Sequence, residues 1–132
     1  MADQHRIDRA ARPYDPAELA RKPDVEPGGF FAIDLRVGRV VEVEDFPDAR
    51  KPAWRIRVDF GPVIGELASS AQITNYSADE LEGRLVAAAI NLGEKRIAGF
   101  VSQFLVLGAL EPDGTVRLLE IPGDVAPGSA IA

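Results

Sequence analysis

Seven residues constrain this chain more than any others. From Trp54 to Phe60, apolar Trp54, Ile56, Val58 and Phe60 alternate with Arg55, Arg57 and Asp59. A period of two places successive side chains on opposite faces of an extended strand, one face buried and one wet. A helix would scatter the same apolar residues around its circumference. This segment is therefore a strand of a sheet that covers a core on one side.

Its neighbours extend the pattern. Leu35–Phe46 is a long strand candidate with valines at 37, 40, 41 and 43, and its alternation lapses at Gly38-Arg39. A glycine within a strand marks a bulge or a sharp curl. Gly61-Pro62 turns the chain into a third strand, Val63–Ser70. Ser77 and Glu80 then have capping-box spacing, and Gly83 is placed to end the turn, which predicts a short helix at Ala78–Glu82. Leu85–Ile90 is a continuous apolar run, the signature of a strand buried on both faces. Phe104–Leu110 is a further strand, and Asp113-Gly114 turns it back into Val116–Ile121.

Three strands, a short helix and then further strands is the order of an OB-fold. The fold class is mainly β: a five-stranded closed barrel with the helix between strands 3 and 4, plus extra C-terminal strands. A long, glycine-kinked first strand suits it, because one strand must curl enough to serve both sides of the barrel. An SH3-like barrel is disfavoured by the mid-chain helix.

Residues 1–29 differ in character. Four of the ten prolines (Pro13, Pro16, Pro23, Pro27) fall there, followed by Gly28-Gly29, with charges of both signs throughout. Asp3 is placed to cap a short helix over His5–Arg12, and Pro16–Lys22 to make another turn. Neither stretch has the apolar residues to bury a face, so residues 1–29 read as a tail, flexible or draped on the domain at 30–132.

Composition removes whole classes of function. Without cysteine there is no disulfide framework and no thiolate metal site. No apolar run approaches the roughly 20 residues that cross a bilayer, and the first residues lack a signal-peptide core, so no membrane insertion and a cytoplasmic address are expected. The single histidine, His5, lies in the tail, which leaves no Ser-His-Asp triad within the barrel. No metal-protease, phosphate-loop or dinucleotide motif occurs. The expectation is a binding protein with no catalysis, no metal and no cofactor.

Three segments carry binding features. Residues 46–61 bring Arg50, Lys51, Arg55 and Arg57 close to Phe46 and Trp54. In an OB-fold the loop joining strands 1 and 2 flanks the ligand face, where cations neutralise phosphates and aromatics stack on bases. Trp54 shares the inward phase of Ile56 and Val58, which favours the core over a stacking platform. Arg50 and Lys51 read equally well as an ordinary solvated loop. Residues 91–108 supply donors at Asn91, Lys95, Arg96, Ser102 and Gln103, and residues 69–74 are a small polar strand end. Against these cations stands a net charge of -6, and from Gly29 onward ten Lys/Arg face fifteen Asp/Glu. Acidic balance opposes non-specific binding to nucleic acid.

Taken together, these strings resemble a known family. Phe31-Ala32-Ile33-Asp34-Leu35-Arg36-Val37-Gly38 resembles the opening motif of the tRNA-binding domain family. EDFPDARKPAWRIRVDFG, SSAQIT, KRIAGF and SQFLVLG resemble its CsaA-type members. The likeness covers roughly residues 30–132. It implies an OB-fold homodimer that binds tRNA or another structured RNA, with a chaperone role in protein export. The family's cationic positions carry over to Arg50, Lys51, Lys95 and Arg96. Its Ser-x-x-Met element carries over to Ser102 and Leu105, with leucine in place of methionine. Arg55 and Asn91 complete the candidate RNA-contact set. The other reading is a module that holds unfolded or preprotein polypeptide on apolar surface around Phe46, Ile73 and Tyr76. Adjacent Phe30 and Phe31, and the apolar run Val116–Ile121, leave surface that a two-fold dimer would cover.

Overall fold

The computed structural model describes residues 14–132; His5 and the helix expected over His5–Arg12 lie outside them. Residues 15–18 form a single turn, closed by the Glu18 amide on the Asp15 carbonyl at 2.9 Å, within the segment where Pro16–Lys22 suggests one. A one-turn helix, α1 (Pro27–Phe31), leads into the barrel.

The main sheet has five strands in the order β3 (Glu66–Ala71), β2 (Trp54–Asp59), β1 (Leu35–Asp45), β4 (Leu85–Ala89), β7 (Leu105–Val106). The first half of β1 pairs with β4 and its second half with β2, both antiparallel. One strand thus serves two neighbours, as the OB arrangement requires. The two outer strands nearly close the barrel. Ala68 and Gln103 exchange bonds of 2.8 and 3.0 Å, and the Ser69 hydroxyl donates to the Phe104 carbonyl at 2.7 Å.

The curl of β1 has two causes. Its ladder slips at Val41, between the pairs Val40–Val58 and Glu42–Arg57, which extrudes Val41 towards solvent. Gly38, where a bulge is expected, instead permits close packing. A methyl group there would come within 2.7 Å of the Phe60 ring and closer still to Val58. Both side chains are fully buried. Gly38→Ala is therefore expected to cost about 1–3 kcal/mol by overpacking. Urea unfolding would measure it, and an unchanged midpoint would contradict this account.

The core follows the sequence phase. Ile56, Val58 and Phe60 are buried, with Trp54 packed against them, and Phe60 meets Phe104 edge-to-face at 5.2 Å. All five residues of β4 are buried, as its unbroken apolar run demands. Helix α3 (Ala78–Leu81) sits between β3 and β4 with a complete capping box at Ser77 and Glu80. Bonds from the Ser77 backbone and side chain hold the Glu80 carboxyl below its usual pKa.

Several elements differ from expectation, and the strand expected at Val116–Ile121 already ends at Leu118. The third strand starts at Glu66, because Gly61–Ile64 makes one helical turn, α2. Phe104–Leu110 divides into β7 and β8 (Gly108–Leu110) at Leu107–Gly108. Gly108 admits the backbone of β9 (Val116–Leu118), its partner, so closely that a methyl group would sit 2.6 Å from the Arg117 carbonyl. A hairpin, β5 (Lys95–Ile97) and β6 (Phe100–Ser102), occupies a stretch with no strand expectation.

The last residues return to the start. The Val37 amide donates to Ser129, Gly128 to Val37 and Ile131 to Leu35, at 2.9, 2.7 and 2.9 Å. They form a strap along the first half of β1, reinforced by Arg36 on the Gly128 carbonyl at 3.2 Å. Among the described residues no helix is long and apolar enough to cross a membrane.

Candidate nucleic-acid interface

The β1–β2 loop and the β5–β6 hairpin rise on either side of the end of β3. Between them lies an open groove of about 550 Å³. Arg50 and Lys51 come from the loop, Lys95 and Arg96 from the hairpin, and Ser70 and Gln72 contribute polar groups beside them. Asp48 is the only carboxylate among the lining residues, so four cations face one anion in a chain whose net charge is -6. The acidic balance is placed elsewhere, and this groove is locally basic.

Each wall has a local reason to stand where it does. The loop starts at Phe46, whose ring is buried and fixes the end of β1. The hairpin turns at Ala98 and Gly99, with φ of 46° and 81°. Two successive positive-φ residues give the turn twist that suits a two-residue hairpin. Glycine supplies this freely, whereas Ala98 holds it against its own Cβ. Arg50, Lys51 and Arg96 are exposed and Lys95 is half-buried. Among the described residues Arg50 and Lys51 make no ion pair.

The remaining candidates are placed differently. Ser102 is fully buried: its hydroxyl lies 3.0 Å from that of Ser69 and accepts the Ser70 amide at 3.2 Å. It fastens the hairpin to β3 and is not on a contact surface, which corrects its assignment to RNA. Leu105 is half-buried in β7, paired with Ala89. Asn91 is outside the groove, and its amide accepts from the Asp34 backbone at 2.7 Å and donates to Ala32 at 2.9 Å, latching the entrance to the barrel. Arg55 does not line the groove either. Its guanidinium pairs with Glu44 at 3.1 Å and lies over the rings of Phe46 and Phe100. The polypeptide set is corrected as well. Phe46 and Ile73 are 6% and 1% exposed and belong to the interior. Tyr76 is half-buried, its hydroxyl accepting from the Leu118 amide at 3.0 Å. Trp54 donates to the Tyr76 carbonyl at 3.0 Å and offers no stacking face to the groove.

Beside the groove, Glu42 and Glu44 share a hydrogen bond that lowers the pKa of Glu42 and raises that of Glu44, with Arg57 further lowering Glu42. Arg57 is clamped between Glu42 and Glu66 at 2.9 and 2.8 Å. On this face of β1–β2–β3 both arginines, Arg55 and Arg57, are paired with Glu42, Glu44 and Glu66, which leaves the groove as the basic feature.

Residues 35–130 match the model of the tRNA binding domain family. The chain belongs to the tRNA-binding domain family. Among solved structures the domain is similar to the CsaA chaperone protein from Picrophilus torridus. That likeness has a TM-score of 0.77 and 47% identity, and covers 83% of this chain and all of the other. It is similar also to chaperone CsaA from Bacillus anthracis, at TM-score 0.78 and 40% identity, with 83% and 100% covered. Methionine–tRNA ligase from Porphyromonas gingivalis is 35% identical over 102 residues, 77% of this chain but only 15% of the ligase. The tRNA-binding domain thus spans about one seventh of that relative's length. Its groove cations lie inside the matched region. The β5–β6 hairpin, which forms one groove wall, is the part that residue patterning missed. The one local signal for it is Gly99 at the turn, since neither Lys95–Ile97 nor Phe100–Ser102 alternates.

Proposed function

We propose that this domain binds tRNA or another structured RNA through phosphates held in the groove by Arg50, Lys51, Lys95 and Arg96, and that it performs no chemistry. The observation that carries this is the convergence of four cations from two separate segments on one concave surface. No aromatic side chain lines that groove among the described residues. Recognition therefore runs through backbone shape and charge, not base stacking. The measurement is titration with tRNA at low and at physiological salt. Binding that weakens steeply with salt supports the reading. No binding at low salt overturns it.

A second reading has its own support. Phe30, Phe31 and Ile33 are 45%, 74% and 38% exposed at the barrel entrance. Such apolar surface suits either a second copy of the chain or an extended polypeptide, and the CsaA structures it resembles are called chaperones. We take the homodimer as the primary use of this surface, because C2 pairing is the commonest way to cover a self-matching patch. A cytoplasmic, export-related role is the setting that fits both. Light scattering at micromolar concentration is expected to give a dimer mass, and Phe30→Asp/Phe31→Asp a monomer with an unchanged fold. A monomeric wild type would remove the dimer.

A further inference from the structure

The two walls of the groove belong to different parts of the chain, and one side chain touches both. Arg55, on the outward face of β2, has its guanidinium carbon 5.5 Å from the centre of the Phe46 ring and 5.9 Å from that of Phe100. Phe46 opens the β1–β2 loop, and Phe100 is the first residue of β6 after the hairpin turn. The two rings also meet each other, 5.5 Å apart at 65°. Glu44, opposite Arg55 in the ladder, holds the guanidinium by one nitrogen at 3.1 Å. Its Nε is buried and makes no hydrogen bond. A desolvated, unbonded Nε is unfavourable in itself. It is tolerated here because the planar group lies over two rings that also touch each other.

We propose that Arg55 is a positioning residue that sets the spacing of the groove walls by stacking against Phe46 and Phe100, and does not itself contact RNA. The inference rests on the groove being the RNA site. It gives the hairpin wall a contact close to its tip. The β5–β6 hairpin is a separate two-stranded sheet, anchored at its base by Ser102 and turning through Ala98 in a conformation that alanine seldom adopts. The Phe100 stack is a contact at the tip end. Arginine fits this role and lysine does not, because only a planar, weakly hydrated cation can lie against both rings.

The test is Arg55→Lys, which keeps the charge and loses the plane, beside Phe100→Leu and the double variant. Hydrogen exchange at the amides of residues 95–100 is expected to speed up about tenfold in each single variant, with little further change in the double, because both break one stack. For tRNA, Arg55→Lys is expected to weaken binding about three- to tenfold while the slope of log affinity against log salt stays that of wild type, since no phosphate contact is lost. Arg55→Lys with wild-type exchange at residues 95–100 overturns the proposal. So does wild-type affinity in that variant, which would mean that charge alone was needed. If wild type binds no tRNA, the RNA reading falls, and the exchange measurement still decides whether Arg55 holds the hairpin. Arg55→Met is the second variant should the lysine form fail to fold: a positioning role keeps the salt slope, whereas a phosphate contact flattens it by about one unit.

Discussion

Replacing Arg50, Lys51 and Arg96 together by glutamate is expected to weaken tRNA binding by at least about a hundredfold and to leave the barrel intact. All three side chains are exposed at the groove. Substitutions at such sites change stability by about 0.5 kcal/mol or less each. Binding responds far more. Each cation that neutralises a phosphate releases condensed counterions, so three lost contacts flatten the log–log salt slope by about two to three units. Glutamate adds repulsion to that loss, in a chain whose net charge is already -6. Lys95 is left in place because it is half-buried and its replacement would confound folding with binding. Anisotropy titrations at two salt concentrations would measure both effects, with circular dichroism as the check on folding. A variant that binds tRNA like wild type would place the RNA elsewhere on the molecule.

The second large effect is on stability. Deleting residues 127–132 is expected to cost about 3–5 kcal/mol. Three backbone bonds to Leu35 and Val37 disappear with the strap, at about 1 kcal/mol each. Val37, 3% exposed in the full chain, is uncovered along one side, which adds about 1–2 kcal/mol. Gly61 loses its close packing on Pro127 and Gly128, where a methyl group on Gly61 would lie 2.6 Å from the Pro127 carbonyl. Against a typical total of about 5–15 kcal/mol the loss is a large share. Urea unfolding of the shortened chain should show a midpoint lower by about 1 M or more. An equal midpoint would mean that the strap is ornamental.

What the sequence discloses here depends on how local the determining physics is. The period of two in Trp54–Phe60, the buried run Leu85–Ile90 and the capping box at Ser77 are written in neighbouring residues, and each forms as expected. The β1 bulge at Val41 and the split at Gly108 depend on what packs across the barrel, and local pattern placed the first at Gly38-Arg39 and missed the second. The site divides in the same way. Arg50, Lys51, Lys95 and Arg96 were legible as cations in polar segments, and the structure gathers them. Ser102 and Phe46 carry the same residue types that a contact surface would use. Only the third dimension shows that a hydroxyl facing Ser69 and a ring under Arg55 are interior fittings. The hairpin with Ala98 at positive φ went unread because alanine is an unlikely residue for that turn.

The strap has a consequence for where such a unit can be placed. The Ile131 amide bonds to the Leu35 carbonyl at 2.9 Å, and Ala130 bridges to Arg36. The barrel's entrance and exit therefore lie side by side on one rim, with the groove formed by other segments, the β1–β2 loop and the β5–β6 hairpin. A module whose two ends meet can be spliced onto either terminus of another chain, or set within one of its loops, without stretching either partner and at little entropic cost of closure. Similar sequence occurring as a seventh part of a much larger ligase is the kind of portability that this geometry permits. The same closure makes the rim a poor place to trim, since a cut at one end unseats the other.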